Sequence, residues 1–152
     1  MRGFLLLAMV LLAACSGQES TPEQRVKALI EQGELAAEER RIGFFADHVA
    51  DDYQGEGGED RRALMRLLRG YFLSHQSVHV VMKADSIRHE GQRVHAVIFA
   101  GLAGSPVQGF EQLMAIRAGL YRFELTFTAD EEPRLLNAAW RRANMDEVLP
   151  QL

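Results

Sequence analysis

The chain has 152 residues, of which 47% are hydrophobic and 25% are charged. This length and this apolar fraction fit a single compact domain with its own core. The 17 Lys and Arg residues against 21 Asp and Glu residues give a net charge of −4, which argues against nucleic acid or an anionic membrane surface as the main partner. The chain holds one cysteine, which excludes an intrachain disulfide and a zinc site built from several cysteines.

The N-terminal residues have the composition of an export signal. Arg2 gives a short positive start, residues 4–12 are almost wholly apolar, and the small residues Ala13 and Ala14 follow. A positive start, an apolar stretch and a small-residue cleavage site are typical of a secretory signal peptide. The apolar stretch is too short for a transmembrane helix, which needs about 20 apolar residues to cross about 30 Å. We therefore predict that residues 1–14 are removed.

The stretch Leu12-Ala13-Ala14-Cys15 resembles the lipobox of bacterial lipoproteins. This resemblance implies cleavage between Ala14 and Cys15, a diacylglyceryl group on the Cys15 thiol and acylation, such as palmitate, of the new amino group. Several acyl chains would make release from the membrane negligible. Because Ser16 and not Asp follows the cysteine, the resemblance implies an outer-membrane lipoprotein that faces the periplasm. The alternative is an ordinary signal peptide with an incidental cysteine.

Residues 15–21 are predicted to be the lipidated cysteine and a flexible tether, and the domain is predicted to span residues 22–143. Thr21, Pro22 and Gln24 form the pattern of a helix start, with a capping box. The first helix is predicted to reach about residue 41, and a second helix is predicted over residues 42–51. The third is predicted over residues 60–74, because its apolar residues repeat at helical spacing: Leu64, Leu67, Leu68, Tyr71 and Phe72.

Beyond His75 the apolar pattern changes to that of strands. Strands are predicted over residues 78–87, 93–102, 120–129 and 134–143, with a helical turn around residues 110–116. The third strand alternates most clearly, since Tyr121 and Phe123 lie on one face while Arg122 and Glu124 lie on the other. Residues 144–152 are predicted to be a tail that is frayed or forms a short closing turn.

Three helices followed by four antiparallel strands predict an α+β domain in which the helices pack on one face of a curved sheet. This order resembles the nuclear transport factor 2-like superfamily, a cone-shaped fold that ketosteroid isomerases and polyketide cyclases share. The residues that carry the resemblance are the segment 46–53, the helix start at 60–62 and Trp140 in the last strand. The superfamily contains enzymes, ligand binders and dimerisation modules, so the resemblance does not choose a function.

The resemblance implies that an enzyme of this fold would need a carboxylate base inside the cone, with a tyrosine and a second acid as donors. Asp85 and Glu124 are the strand carboxylates, and both are predicted to be on the surface, so no catalytic residue is assigned. His79 and His95 on neighbouring strands, with His75, suggest a metal site, but no HExxH-type motif supports it, so neither a metal nor a cofactor is predicted. Three arginines of the third helix, Arg62, Arg66 and Arg69, predict either an anion site or a solvated face.

These observations leave three functional hypotheses open. The first is a membrane-anchored, non-catalytic module that binds a protein partner or forms a homodimer through its sheet. The second is a carrier of a small hydrophobic ligand in the cone. The third is an isomerase-like or cyclase-like enzyme. The pocket lining is predicted to include five aromatic residues, although the many large apolar side chains favour a mostly filled cone: Tyr53, Tyr71, Phe99, Tyr121 and Phe123.

Overall fold

The computed structural model describes residues 19–110, 112 and 119–149. Its helices and strands, in chain order, are α1 (Pro22–Glu38), α2 (Ile42–His48), α3 (Arg61–Ser74), β1 (His79–Glu90), β2 (Arg93–Ala103), β3 (Gly119–Thr128), β4 (Leu135–Arg142) and α4 (Met145–Val148). The four strands form one antiparallel sheet in the order β1-β2-β3-β4. The predicted α+β architecture, with helices against a four-stranded antiparallel sheet, is confirmed.

The start of α1 follows the predicted capping chemistry. The Thr21 side chain accepts a hydrogen bond from the Gln24 N–H at 3.2 Å, and the Gln24 side chain accepts one from the Thr21 N–H at 2.9 Å. One turn later, the Arg25 guanidinium donates to the carbonyls of Ala129 and Asp130, each at 3.0 Å, and to the carbonyl of Ser20. The helix start is thereby joined to the turn between β3 and β4.

α1 lies along β1, which is an edge strand. The carboxylates of Glu38 and Glu34 accept hydrogen bonds from the N–H groups of Val80 and Met82, at 3.1 and 3.3 Å. Unpaired N–H groups on an edge strand are open to pairing with another chain. These two glutamates therefore protect part of the edge of the sheet.

One face of the sheet packs against the helices, and we call it the inner face. Val94, Ala96 and Phe127 of the inner face form a buried cluster with Val26 and Leu29 of α1. A second buried cluster joins α3 to β4, and a third joins α3 to the start of β1. Burial of apolar side chains along this whole face is the main force that stabilises the fold.

The predicted stripe on α3 is wrong in one position. Leu64 and Phe72 are buried and Leu68 is half-buried, but 54% of Leu67 is exposed. Met65, which the pattern did not include, is buried in its place. The packed side of α3 is rotated toward Met65 because α2 lies on that side, where Ala46 packs in the same cluster.

Several boundaries differ from the sequence prediction. α2 ends at His48 and not at residue 51, because Val49 is extended and pairs with Leu135 of β4. The strand β1 continues to Glu90, and Gly91, with a positive φ of 61°, makes the turn into β2. The predicted closing turn of the tail is the short helix α4. The predicted helical turn around residues 110–116 lies largely outside the described residues.

Candidate functional site: the open end of the inner face

The five aromatic residues predicted to line a pocket do not share one environment. Tyr121 and Phe123 both lie on the inner face, half-buried, near the end of the sheet where β2 ends and β3 begins. Tyr71 is half-buried on α3, and Tyr53 is almost fully buried, with 2% of its surface exposed. Phe99 lies on the other face of the sheet.

The placement of Phe99 is a correction that follows from strand register. Ile98 is the partner of Phe123, so Ile98 shares the inner face with it, and the next residue, Phe99, points to the outer face. There its partners are Lys83 of β1 and Arg122 of β3. Phe99 is nevertheless buried, which means that something covers the outer face at this point.

The cover over the outer face is α4. Lys83 donates from Nζ to the Val148 carbonyl at 2.7 Å, and Val148 itself is buried. Arg141 of β4 holds Glu147 through two hydrogen bonds, of 3.1 and 2.6 Å. This bidentate pair and the backbone N–H of Asn144 lower the pKa of Glu147 to about 2. The C-terminal helix therefore lies across the centre of the outer face.

The inner face is more open at its end, where three aromatic side chains follow one another across β3 and β4. The ring centroids of Tyr121 and Phe123 are 6.3 Å apart, and those of Phe123 and Trp140 are 6.4 Å apart. Trp140 is 39% exposed, and the guanidinium of Arg142 lies 5.8 Å from the Tyr121 ring. We call Tyr121, Phe123 and Trp140 the aromatic row.

Across from the aromatic row is the C-terminal half of α3. Tyr71 packs in the same cluster as Leu102, whose partner in the sheet is Gly119, two residues before Tyr121. The pKa of Tyr71 is raised, first by burial and then by the neighbouring Tyr121 phenol. His75 stacks on Tyr71 at 4.2 Å between ring centroids, and Leu67 lies one turn earlier on the same side of α3. The aromatic row and this side of α3 define a half-open apolar surface, which we call the mouth.

Away from the mouth, the interior is nearly filled. An apolar cavity of about 120 Å³ lies between α1, α2 and the sheet, and none of the five predicted lining residues borders it. Ligand pockets for drug-sized molecules usually have volumes of about 300–1,000 Å³. The cavity is lined by Leu29, Ile30, Gly33, Phe44, Phe45, His48, Val49, Met82, Ile98, Leu125, Phe127 and Leu135.

Two wider depressions are lined largely by charged residues. One, of about 620 Å³, lies beside the N-terminal part of α1 and includes Arg25, Asp47, Glu131 and Arg134. The other, of about 480 Å³, runs along α3 past its arginines. Arg61 and Ala46 line both depressions, which are therefore adjacent.

Within the described residues no acid is buried, and no group of three His, Cys, Asp or Glu side chains could hold a metal ion. The hypothesis that His79 and His95 approach one another is wrong. His79 pairs with Ala103, whereas His95 pairs with Arg88, so the two histidines are separated by roughly 25–30 Å along the hairpin. His95 instead makes a hydrogen bond of 3.1 Å with Thr126.

Trp140 and Arg142 were not among the residues predicted to line a pocket. The alternation of Tyr121 and Phe123 indicated only part of the site. A strand that pairs with β3 also carries inner-face residues at every second position, and these lie beside the inner-face residues of β3. Trp140 pairs with Phe123, and Arg142 pairs with Tyr121. These two pairs cannot be predicted from the sequence unless the register between β3 and β4 is known.

No protein-family model and no curated protein matches the sequence. Solved structures do match the fold. Bd1075 of Bdellovibrio bacteriovorus is similar over 80% of this chain, with a TM-score of 0.63 and 8% identity, but this chain spans only 40% of the length of Bd1075.

Two matches are similar over nearly their whole length, and each is described as an NTF2-like protein of unknown function. The protein from Pseudomonas putida matches with a TM-score of 0.59 and 15% identity, over 82% of this chain and 89% of its own. The protein from Silicibacter pomeroyi matches with a TM-score of 0.57 and 13% identity, over 78% of this chain and 93% of its own. The chain has the nuclear transport factor 2-like fold.

Cys15, predicted to be lipidated, and Ala14, predicted to precede the cleaved bond, lie outside the described residues. None of the helices in the described ranges is long and apolar enough to cross a membrane.

Proposed function

We propose that the protein is a lipid-anchored, non-catalytic module of the bacterial envelope that binds a partner protein at the mouth. The anchor is supported by the lipobox-like residues 12–15 and by a polar stretch of residues 16–20 that precedes α1. Ser16 after the cysteine favours the outer membrane, with the domain in the periplasm. The binding role rests on the half-exposed aromatic row, which is the single observation that carries this proposal.

The chemistry of the mouth favours a protein over a small molecule. Trp, Tyr and Arg are the residues that most often dominate the binding energy of protein interfaces. The mouth combines two of these aromatic types with Arg142, whose guanidinium lies over Tyr121 and forms no ion pair with the described residues. A suitable partner is an apolar segment with a carboxylate at its edge, because the carboxylate can pair with Arg142.

Carriage of a bulky hydrophobic ligand is the second hypothesis, and the small volume of the apolar cavity, about 120 Å³, does not favour it. A catalytic role has less support, because the described interior contains no buried acid to act as a base. Dimerisation through the centre of the outer face would require α4 to move from Phe99 and Lys83.

The proposal can be tested with a photoreactive amino acid at position 140, in the full-length protein expressed in its own cells. Position 73 is the matched control, since Leu73 is 86% exposed on another side of α3. We expect a discrete crosslinked protein at position 140 and none at position 73. We also expect Tyr121→Ala to reduce the yield of that crosslink at least tenfold, because it removes the ring that Arg142 covers.

Each other outcome identifies a different function. A crosslink to a second copy of this chain would make the mouth a homodimer interface. A small-molecule adduct would favour the carrier, and crosslinks that Tyr121→Ala does not change would contradict a specific site. The anchor has its own test: Cys15→Ser should abolish lipidation and leave the signal attached, and a processed, membrane-bound Cys15→Ser protein would contradict the lipobox interpretation.

A further inference from the structure

α3 carries three arginines that the fold does not use. Arg62, Arg66 and Arg69 follow one another at spacings of four and three residues, and all three are exposed on one side of the helix. In the part of the chain that the structure describes, none of them forms a hydrogen bond or an ion pair. We call these three residues the arginine row.

The neighbouring Arg61 shows how a structural arginine differs. It donates to the Ala46 carbonyl at 2.6 Å and to the Val49 carbonyl at 3.1 Å, and its Nη1 lies 3.6 Å from an Asp51 oxygen. Arg61 thus binds the carbonyls that the end of α2 leaves unpaired. The arginine row lines the adjacent groove of about 480 Å³ together with Met65 and Ala46. Its guanidinium groups remain available to bind an anion.

We propose that the arginine row docks the domain on anionic phospholipid headgroups of the membrane that anchors it. This inference rests on the lipid anchor proposed above. It deepens that proposal by assigning the side of the domain that faces the bilayer.

The tether is short enough to make this contact possible. Five residues lie between Cys15 and Thr21, so the start of α1 lies within about 20 Å of the lipid even when the chain is fully extended. Arg25, in the first turns of α1, and Arg61, at the start of α3, line the same depression, and Arg61 also lines the groove of the arginine row. The arginine row therefore begins close to the end of the domain where the tether enters.

The acidic net charge of the chain explains why contact with an anionic bilayer needs a local basic surface. The whole chain is acidic, with a net charge of −4, so general electrostatic attraction to an anionic bilayer is absent. A local row of guanidinium groups, which bind phosphate oxygens in a bidentate manner, supplies that attraction on one side only. Because the tether keeps the domain beside the bilayer, a weak contact is enough to orient it.

An acidic protein segment is the competing occupant of the groove. Asp51 and Asp60 line the groove together with the arginines, and their carboxylates oppose an acidic segment and an anionic headgroup alike. The anionic surface of the membrane is favoured because the tether holds it within reach at all times.

The test uses the full-length protein as its host processes it, reconstituted in nanodiscs. One preparation contains phosphatidylcholine alone, and the other contains phosphatidylcholine mixed with phosphatidylglycerol. Phenylglyoxal modifies accessible arginines, and peptide mass spectrometry gives a rate for each one. Arg142 and Arg40 serve as internal controls because they are exposed and lie at the opposite end of the molecule from the start of α1.

With phosphatidylglycerol present, we expect the modification of the arginine row to slow at least about fivefold, as one headgroup contact per arginine implies. The rates at Arg142 and Arg40 should not change. Raising the salt from about 0.1 M to about 1 M should remove the protection, since the screening length falls from about 10 Å to about 3 Å. Arg66→Gln should weaken the protection of Arg62 and Arg69, whereas Arg66→Lys should retain most of it.

Each contrary result has one meaning. Equal rates on a protein whose intact mass shows lipid at Cys15 would overturn the docking and leave the anchor standing. An unlipidated mass would overturn both. Slower modification of Arg88 and Arg93, with no change at the arginine row, would mean that the β1–β2 turn contacts the bilayer instead. Protection by inorganic phosphate without nanodiscs would indicate a soluble anion as the ligand, and protection that appears only with added envelope protein would indicate an acidic partner.

Discussion

Tyr53 is the residue whose local chemistry is least expected in this fold. Its side chain is buried, and its hydroxyl is the one buried side-chain polar atom of the described residues that has no hydrogen-bond partner. A Cβ added at Gly55 would lie 3.3 Å from that hydroxyl and 2.5 Å from a Glu59 oxygen, so all three groups crowd one loop. Burial, and next the Glu59 charge, raise the pKa of Tyr53 to about 12.

Replacing Tyr53 by Phe should therefore not destabilise the protein. Leaving a buried polar group unpaired costs about 1–3 kcal/mol, and Phe keeps the ring while removing that group. We expect the free energy of unfolding in urea to be unchanged or to rise by up to about 2 kcal/mol. Tyr71→Phe, at a half-exposed ring, is the control and should change it little. A loss of stability in Tyr53→Phe would show that the hydroxyl has a stabilising partner.

The same residue predicts how stability depends on alkaline pH. The folded pKa of Tyr53 is about 12 and the reference value is 10.0, so between these values the folded state holds the proton more tightly than the unfolded state. This contribution is complete below pH 10 and is lost as the pH rises through 12. Urea unfolding at pH 9, 10 and 11 should show a decline in wild type that is shallower in Tyr53→Phe, and parallel declines would contradict the assignment to Tyr53.

At the scale of elements, α1 contains a glycine that its surroundings do not require. Gly33 lies within α1, and an added Cβ would meet only the edge of the Phe44 ring, at 3.7 Å. Because alanine is favoured over glycine inside a helix by about 1 kcal/mol, Gly33→Ala should stabilise the protein by about that amount.

Gly70→Ala in α3 is the matched control for Gly33→Ala. Nothing lies within 4 Å of a Cβ at Gly70, so this variant should show the helix contribution alone. Gly33 also borders the small apolar cavity, so Gly33→Ala should gain at least as much in the same thermal or urea unfolding experiment. A smaller gain at Gly33 than at Gly70 would show that Phe44 has no room to adjust.

The Arg141–Glu147 pair is one of the contacts that attach α4 to the sheet, beside the hydrogen bond from Lys83 to the Val148 carbonyl. The pKa of Glu147 is about 2 against a reference value of 4.5, so its contribution to stability is present above pH 4.5 and is lost as the pH falls through 2. Glu147→Ala should speed the exchange of the Leu149 amide proton, which bonds to the Met145 carbonyl at 3.0 Å. Asp146→Ala on the same helix is the control for a general effect on α4, and equal exchange in the two variants would contradict a role for the Arg141 pair.

The sequence predicted elements better than it predicted their faces. Helical spacing located α3, and alternation located β3, because each pattern follows from the repeat of one element. The position of Phe99 depended on how β2 pairs with β3, and the exposure of Leu67 depended on which side of α3 meets α2. Both are consequences of tertiary packing, which a local pattern does not contain.

For the whole molecule, the two faces of the sheet have different roles. The inner face packs against the helices and ends in the mouth, while the outer face is covered at its centre by α4. The candidate site was predicted in part, through Tyr121, Phe123 and Tyr71. Trp140 and Arg142 join it only because β4 pairs with β3 in the observed register.

Removing the cover should change the oligomeric state. Val148→Asp places a charge at a residue that is only 2% exposed, and because burying an unpaired charge is costly, the substitution should displace α4 and expose Phe99 on the outer face. We expect sedimentation velocity to show stronger concentration-dependent self-association than wild type shows under the same conditions. Leu149→Asp, at a residue that is 40% exposed, is the control and should behave as wild type. A monomeric Val148→Asp protein would show that α4 does not shield a self-complementary surface.

Arg25 gives the domain a particular response to mechanical load. Its guanidinium binds the Ser20 carbonyl just before α1 and the Ala129 and Asp130 carbonyls at the β3–β4 turn. A pull that arrives through the preceding residues is therefore divided between the helix and the sheet, and the first turn of α1 cannot unwind alone. Tension that enters through these preceding residues would have to break the three hydrogen bonds of Arg25 before it could unwind the first turn of α1.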